Sequence, residues 1–336
     1  MTRGRREEPG PWAFDLNLVV TYRCNLQCSH CIADCGPRRR EALAVEDGER
    51  WIDAAAATGR LSVVGLTGGE PLLRLDAVRR LLAHASRRGA EGGIVTNCFW
   101  ATSAAAARAK LAELRELGLR HLTVSCDGFH VPAVPLERVR RAVGAALELE
   151  LGVTVNVVVT RDGPYSLLEV PDLLGVPRSE LGRSVEIKEI APLLIGRAAR
   201  EIPRDALIRT DQPEWFDGPC RYVGRSPAVA PDGAVFACCC FGDSTRRAEA
   251  RIGWAGNARE RPLTDILEEM PRNLLFRLLE QNGPYALLRL VRARCPELRT
   301  RKRYFTTCDV CVELYRPAVR RRLASVLNEL AVEARG

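Results

Sequence analysis

The sequence lacks a hydrophobic run long enough to cross a membrane. A spanning helix needs a nearly unbroken run of about 18 or more apolar residues, and none occurs in the 336-residue chain. The first residues are polar, and the apolar segment of a secretory signal peptide does not follow them. These absences predict a cytoplasmic protein with no membrane partner.

Lysine and aromatic residues are scarce. Lysine occurs only at positions 110, 188 and 302, so the net charge of +8 comes almost wholly from arginine. Aromatic residues make up 6% of the chain, and no basic stripe interleaves with them as on many nucleic-acid-binding surfaces. We therefore expect the arginines to form a solvated surface and do not expect a nucleic-acid partner.

Cysteine, in contrast, is abundant, with 13 residues. Without a secretion signal, such clustered cysteines indicate metal ligation in a reducing compartment and not disulfides. Cys24, Cys28 and Cys31 form a Cys-x3-Cys-x2-Cys loop directly after an apolar strand. Thiolates at this spacing can hold three corners of an iron–sulfur cube, which leaves the last iron open to a small molecule.

Zinc is the competing interpretation of this loop. Structural zinc sites usually have paired Cys-x2-Cys knuckles and four ligands, and His30 could complete such a set here. A single loop placed after a strand favours the iron–sulfur interpretation. A non-enzymatic zinc-binding protein is therefore the alternative from a different functional class.

The cysteine loop together with Thr67-Gly-Gly-Glu-Pro71 resembles the radical S-adenosylmethionine (radical SAM) superfamily. The resemblance implies a [4Fe–4S] cluster on Cys24, Cys28 and Cys31, which form the catalytic centre, with SAM on the open iron. It implies reductive cleavage of SAM to a 5′-deoxyadenosyl radical. The electron would come from a donor such as flavodoxin or ferredoxin.

Further positions match motifs that bind SAM in that family. The resemblance implies that Gly68, Gly69 and Glu70 bind the amino group of SAM, where glycine lets the backbone approach a ligand closely. The resemblance also implies that His30 packs beside the adenine of SAM and that Arg197 pairs with the carboxylate of SAM. The remaining implied SAM-binding residues are Asn97 and, in a Ser-x-Asp-Gly segment, Ser125 and Asp127. A capping turn is the alternative for Ser125 and Asp127, and a solvated surface position is the alternative for Arg197.

Two cysteines lie inside these motifs. Cys126 falls between Ser125 and Asp127, so the alternation of a strand end should point it away from them, toward the surrounding helices. We therefore predict a structural role for Cys126. Cys98 stands where the family motif after Asn97 has glycine.

Strand and helix patterns alternate up to about residue 200. The predicted strands are Phe14 to Thr21, Leu61 to Thr67, Gly93 to Thr96, His121 to Ser125, Val153 to Thr160 and Ser184 to Ala191. Amphipathic helices are predicted at Val45 to Ala57, Leu75 to Arg88, Ser103 to Leu117 and Leu136 to Leu151, each ended by a glycine at 59, 89, 118 or 152. With the resemblance, this order predicts an α/β fold, a partial (β/α)6 TIM-like barrel over residues 1–200, with functional residues at the C-terminal strand ends.

Residues 201–336 contain a second cysteine group. Ala228 to Ala237 is predicted as a β-hairpin with a Pro-Asp-Gly turn. Cys220, Gly233 and Cys238 resemble the beginning of SPASM and twitch domains, and Cys308-Asp-Val-Cys311 follows much later. The resemblance implies a C-terminal cysteine-rich twitch/SPASM-like domain with a helical insert. Its auxiliary [4Fe–4S] cluster would be held by Cys220, Cys238, Cys308 and Cys311, although Cys239 and Cys240 are alternatives to Cys238 and zinc is an alternative metal.

The substrate is less closely defined by the sequence. Relatives with such domains modify ribosomally synthesised peptides or act in small-molecule biosynthesis. We predict oxidative modification of a ribosomal peptide by cross-linking, dehydrogenation or epimerisation, with a small-molecule dehydrogenase or cyclase as the alternative. Few residues precede the first strand, so leader-peptide recognition would require a separate protein.

Overall fold

A nine-stranded sheet organises the structure, a computed structural model that describes residues 13–208, 216–239 and 252–333. The strand order is β6-β5-β4-β3-β2-β1-β7-β8-β9. The strands are β1 (Phe14–Thr21), β2 (Leu61–Gly68), β3 (Glu91–Thr96), β4 (Leu119–Ser125), β5 (Gly152–Val158), β6 (Val185–Ile190), β7 (Ala228–Val229), β8 (Ala234–Phe236) and β9 (Trp254–Asn257).

Strands β1 to β6 pair in parallel and in chain order. Alternate residues of β1, namely Leu16, Leu18 and Val20, are fully buried toward the helices. On its other face Asn17 remains partly exposed, as expected for the inside of an open barrel. The sheet does not close on itself, which confirms the predicted partial barrel.

Helices α1 (Val45–Ala57), α2 (Leu75–Arg87), α3 (Ala104–Glu116) and α4 (Leu136–Glu148) cover this sheet. The apolar stripe of α2 is buried as its spacing predicts, since Leu81, Leu82 and Ala85 have no exposed surface. The prediction that Gly152 ends α4 is wrong. Gly152 begins β5, whereas Glu150 takes the left-handed conformation with φ 56°.

The sheet continues past the predicted domain boundary. Strand β7 pairs in parallel with β1 through Asn17 and Ala228, and β8 then pairs with β7 in antiparallel fashion. The Pro-Asp-Gly turn joins β7 to β8, with Gly233 at φ 85° and its N–H donated to Ala230 O at 2.9 Å, as predicted. The strands before and after residue 200 thus belong to one sheet. The division of the chain into two domains at this residue stays a prediction.

Six further α-helices follow in the described part of the chain. They are α5 (Val170–Leu174), α6 (Ala198–Glu201), α7 (Leu263–Glu269), α8 (Leu274–Arg294), α9 (Thr307–Leu314) and α10 (Pro317–Glu333). A kink at Gly283, with φ 78°, divides α8 into two helical stretches. Within the described ranges, no helix combines the length and the apolar character needed to cross a bilayer.

Candidate active site

The loop that carries Cys24, Cys28 and Cys31 begins where β1 ends. Backbone hydrogen bonds from Cys24 N to Gly36 O and from Gly36 N to Tyr22 O, both 3.2 Å, bring the far side of the loop back to its start. Two of its sulfurs accept backbone N–H groups, with Leu26 N 3.4 Å from Cys24 Sγ and Cys35 N 3.3 Å from Cys31 Sγ. Backbone donors on sulfur are the usual surroundings of thiolate ligands.

The two outer thiols of the loop differ in their acidity. Burial raises the pKa of Cys24 to about 12, and the neighbouring Glu70, Cys28 and Cys31 add to that rise. A hydrogen bond with the Cys35 thiol is the main reason that the pKa of Cys31 is lowered to about 6. Because Cys28 and Cys31 both act on the Cys24 thiol, the three thiols of the loop lie near one another, and their binding of a cluster stays a prediction.

Gly68 and Gly69 press against the start of the cysteine loop. Gly69 N donates to Thr21 O at 2.7 Å, and Glu70 N donates to Arg23 O at 3.0 Å. A Cβ on Gly68 would lie 2.2 Å from Thr21 O, and a Cβ on Gly69 would lie 2.2 Å from Arg23 O. Binding of SAM by these glycines stays a prediction; the close approach in the structure is to the backbone of the cysteine loop.

Glu70 is fully buried, and its carboxylate accepts hydrogen bonds from the protein. The donors are Leu72 N at 3.1 Å, Asn97 N at 2.9 Å and Thr96 Oγ1 at 3.0 Å. Burial outweighs these bonds and raises the pKa of Glu70 to about 7. The carboxylate therefore connects the end of β2 to the end of β3, in addition to any role toward SAM.

Asn97 extends this connection to the cysteine loop. Its Nδ2 donates to Asn25 Oδ1 at 3.0 Å and lies 3.9 Å from Cys24 Sγ, while its Oδ1 accepts from Phe99 N. It is only 6% exposed, so it lies beside the predicted cluster ligands. The sequence indicated no role for Asn25, because an asparagine between two cysteines does not reveal which distant residue it contacts.

Asp127 is also fully buried and turns the chain after β4. Its Oδ1 accepts from Phe129 N at 2.9 Å, His130 N at 3.1 Å and His130 Nδ1 at 2.9 Å. Burial favours a raised pKa, but the hydrogen bond and charge of His130 prevail and lower the pKa of Asp127. These bonds agree with the capping turn that was the alternative interpretation, and they bring in His130, which the sequence analysis missed.

The other residues of the Ser-x-Asp-Gly segment fall as expected. Ser125 is partly buried at the end of β4, opposite Asn156 of β5. Cys126 has no exposed surface and packs in the main apolar core, which confirms its predicted position. Cys98 is likewise fully buried, and its φ of 64° is the left-handed conformation that the expected glycine would favour.

His30 packs among aromatic rings beside Cys28. Its ring centroid lies 4.7 Å from that of Phe129 and 4.8 Å from that of His130. Burial, with a smaller effect of the His130 charge, lowers the pKa of His30 to about 4. Among the described residues, the Nδ1 atom of His30 is buried and has no hydrogen-bond partner, so one polar position at this site is open to a ligand.

Arg197 is buried against the cysteine loop. Its Nη1 donates to Cys28 O at 2.9 Å, its Nη2 donates to Cys35 O at 2.5 Å, and Nη2 also lies 3.1 Å from Asp34 Oδ1. The alternative interpretation of a solvated arginine is wrong, because the residue is 4% exposed. Its observed partners are carbonyls and a carboxylate of the loop, so it fixes the loop; the predicted pairing with SAM stays a prediction.

The second cysteine group assembles around α9. Cys308 and Cys311 are separated by one helical turn, so they share a face. Burial raises the pKa of Cys311 well above its usual value, and Cys238, Cys308 and Cys220 raise it further. The structure thus brings all four predicted auxiliary ligands together.

Cys239 belongs to the same neighbourhood. Burial, followed by the charge of Cys308, raises its pKa to about 11, and Cys220 and Ser226 also act on it. Cys238 and Cys239 therefore both stay candidate ligands of an auxiliary cluster. Cys240 lies outside the described residues.

A buried ionic network holds α9 in place. Arg301 donates to Asp309 Oδ1 and to Glu313 Oε2, each at 2.7 Å, and these carboxylates are 2% and 0% exposed. Asp309 lies between the two cysteines of α9, so the network orients the helix that presents them.

We expect Glu70→Gln to destabilise the protein. The amide would place a donor where Asn97 N or Thr96 Oγ1 now donates, leaving buried polar groups unpaired at a cost of about 1–3 kcal/mol. Urea denaturation of the anaerobically reconstituted protein measures this loss. Glu148→Gln, on the exposed surface of α4, is the matched control, and equal stability of the two variants would contradict the prediction.

We expect Arg301→Met to disrupt the second cysteine group. Two buried carboxylates would lose their shared cation, which costs about 3 kcal/mol or more and loosens α9. Iron content after reconstitution should fall, while Arg322→Met, which removes an exposed ion pair, should leave it unchanged. Unchanged iron in Arg301→Met would show that the network does not position the cysteines.

Comparison with curated proteins gives relatives of two kinds. The chain is 22% identical to the putative peptide biosynthesis protein YydG of Bacillus subtilis over 90% of its own length and 92% of that protein. It is 29% identical to the GTP 3′,8-cyclase of Rhodopseudomonas palustris over 62% of its length and 64% of the cyclase. The chain thus spans about two thirds of the cyclase.

A solved structure shares the fold. Native anSMEcpe with bound AdoMet and Cp18Cys peptide superposes with a TM-score of 0.52 at 14% identity, over 94% of this chain and 99% of that one. Residues 18–164 match the model of the radical SAM superfamily, a range that includes the cysteine loop and the ends of β1 to β5. The chain therefore contains a radical SAM domain over residues 18–164.

Proposed function

We propose that this protein oxidatively modifies a ribosomally synthesised peptide at a site built on Cys24, Cys28 and Cys31. The observation behind this proposal is the loop itself. It is held from one side by Gly69 and Glu70 and from the other by Arg197. The family implies a [4Fe–4S] cluster and SAM, and this loop offers three adjacent thiols for the cluster.

The residues at the site fit these groups. The two outer thiols already accept backbone N–H groups, which suits thiolate ligands. The unpartnered Nδ1 of His30 offers a hydrogen bond to a bound molecule beside Cys28. When bound, the cluster and SAM supply the reductive cleavage that generates a carbon-centred radical.

The chain's own residues bind and orient these groups. We propose that Cys24, Cys28 and Cys31 hold the cluster, and that Gly68, Gly69, Glu70, Asn97, Ser125 and Asp127 shape the SAM cavity. Arg197 and Asp127 keep the loop and the β4 turn fixed through buried hydrogen bonds, so little reorganisation accompanies binding. Cys220, Cys238, Cys308 and Cys311 would hold an auxiliary cluster.

Two observations favour a peptide substrate. YydG, named as a putative peptide biosynthesis protein, aligns over nearly the whole chain. In the described part of the chain, β5 is the only strand that pairs with β6, and beyond a single bridge between Val185 and Leu181 no strand covers its outer edge. Leu167 N contacts Glu189 of β6, and Leu168 beside it is 82% exposed, so apolar surface flanks this edge. An extended peptide could reach the barrel from that side.

A nucleotide cyclase is the second candidate function, because the GTP 3′,8-cyclase is 29% identical over 62% of this chain. The radical SAM domain favours either enzyme over the zinc-binding alternative. The proposal also includes a one-electron donor such as flavodoxin or ferredoxin and a separate leader-peptide recognition protein.

The cluster assignment predicts the behaviour of the Cys24→Ala, Cys28→Ala, Cys31→Ala triple variant. Wild-type protein should bind about eight irons as two cubes, and the variant about four, since its C-terminal cysteines are intact. The variant should form no 5′-deoxyadenosine from SAM under dithionite. Cys295→Ala, whose thiol lies outside both groups, is the control; 5′-deoxyadenosine from the triple variant would refute the assignment.

The substrate proposal is tested by co-expression with any short peptide that the neighbouring genes encode, in parallel with an assay on GTP. We expect a peptide to lose a pair of hydrogens, or to take up solvent deuterium at one carbon if the reaction is epimerisation. Mass spectrometry after proteolysis locates the change. Conversion of GTP with no change in any peptide would decide for the cyclase.

A further inference from the structure

His130 lies against one of the predicted cluster ligands. Ligand atoms of Cys28, His30 and His130 lie within 4.8 Å of one another, the one such group found in the described ranges. His130 Nδ1 is 2.9 Å from Asp127 Oδ1, which leaves Nε2 as the nitrogen available to Cys28. The imidazole therefore lies between a buried carboxylate and a thiol.

Asp127 holds this imidazole rigidly. The same Oδ1 accepts the backbone N–H groups of Phe129 and His130, so side chain and backbone are fixed to one atom. The side chain of His130 is 15% exposed, and His30 packs edge-on to its ring. A histidine held by a carboxylate has a defined ring orientation, as in carboxylate–histidine pairs behind metal sites.

The three cysteines have different neighbours. Cys24 and Cys31 accept backbone N–H groups, which are neutral donors. Cys28 instead has the imidazole of His130 beside it. With an acceptor on each side, the ring suits the cationic form, which carries an N–H on both nitrogens.

We propose that His130 is a positioning residue that donates a hydrogen bond from Nε2 to the Cys28 sulfur and thereby raises the reduction potential of the cluster bound there. The inference rests on the proposed function, because it requires a cluster on Cys28. Reduction adds negative charge to a cluster and its thiolates. A donor on a ligand sulfur stabilises that added charge, so the cluster accepts its electron at a less negative potential.

The test measures the midpoint potential of the SAM-binding cluster by redox titration monitored with electron paramagnetic resonance. The signal that changes on SAM addition identifies this cluster and separates it from the auxiliary one. The variants are His130→Leu, which removes the donor, and His130→Gln, whose amide can still donate. His84→Gln is the matched control, because His84 also pairs with an aspartate but lies between α1 and α2.

We expect His130→Leu to bind iron normally and to shift the midpoint to a more negative value. At a fixed applied potential, a tenfold lower ratio of reduced to oxidised cluster corresponds to a midpoint shift of about 59 mV. His130→Gln should recover part of the shift, and His84→Gln should match the wild type. If His130→Leu does not load iron, the midpoint potential is measured in His130→Asn instead.

The inference would be overturned if the cluster of iron-loaded His130→Leu had the same midpoint potential as that of the wild type. It would also be overturned if His130→Leu and His130→Gln shifted this potential equally. If His130→Leu does not fold by circular dichroism, His130→Asn replaces it, because the shorter amide cannot reach Cys28. Absence of any SAM-sensitive signal in the wild type would overturn the proposed function itself, and the inference with it. The two failures are therefore distinguishable.

Discussion

The site depends on close contact between backbone segments around the cysteine loop. Gly68 and Gly69 lie against the carbonyls of Thr21 and Arg23, and Gly196 lies against the carbonyl of Ile32, each with no room for a Cβ. Each contact would place an added Cβ at 2.2 Å from a carbonyl oxygen. Segments from β1, β2 and the region after β6 thus meet at one loop, and the positions of its thiols follow from these contacts.

Buried charged groups complete this arrangement. Glu70 connects the ends of β2 and β3, Asp127 fixes the turn after β4, and Arg197 joins the loop to the region after β6. Each group is satisfied by several hydrogen bonds, as buried charges require. The same principle recurs at α9, where Arg301 pairs with two buried carboxylates beside the second cysteine group.

Much of this could be predicted from the sequence, because local patterns determine it. The strand at Phe14–Thr21 and the helix at Val45–Ala57 were predicted with the bounds that the structure has. The pairing of β7 with β1 could not be predicted, because Asn17 and Ala228 are far apart in the chain and no local pattern joins them. The role of Arg197 depends on carbonyls more than 160 positions away in the chain, which no local pattern encodes.

Motifs predicted which residues gather but not what each one contacts. The glycines of Thr67-Gly-Gly-Glu-Pro71 suggested a ligand, and the structure places backbone carbonyls there. His130 gave a signal that was overlooked, since an aspartate followed three residues later by histidine can form a capped turn in which the two side chains meet. The thiol, imidazole and carboxylate then form one connected unit.

The central claim is that the Cys24–Cys31 loop binds a cluster with one iron open to SAM. Electron paramagnetic resonance of the dithionite-reduced protein, recorded with and without SAM, tests it most directly. The account predicts that SAM alters the signal of one cluster, and that this response disappears when Cys24, Cys28 and Cys31 are replaced by alanine while the second signal persists. A reduced spectrum that is indifferent to SAM, in protein with full iron content, would contradict the account.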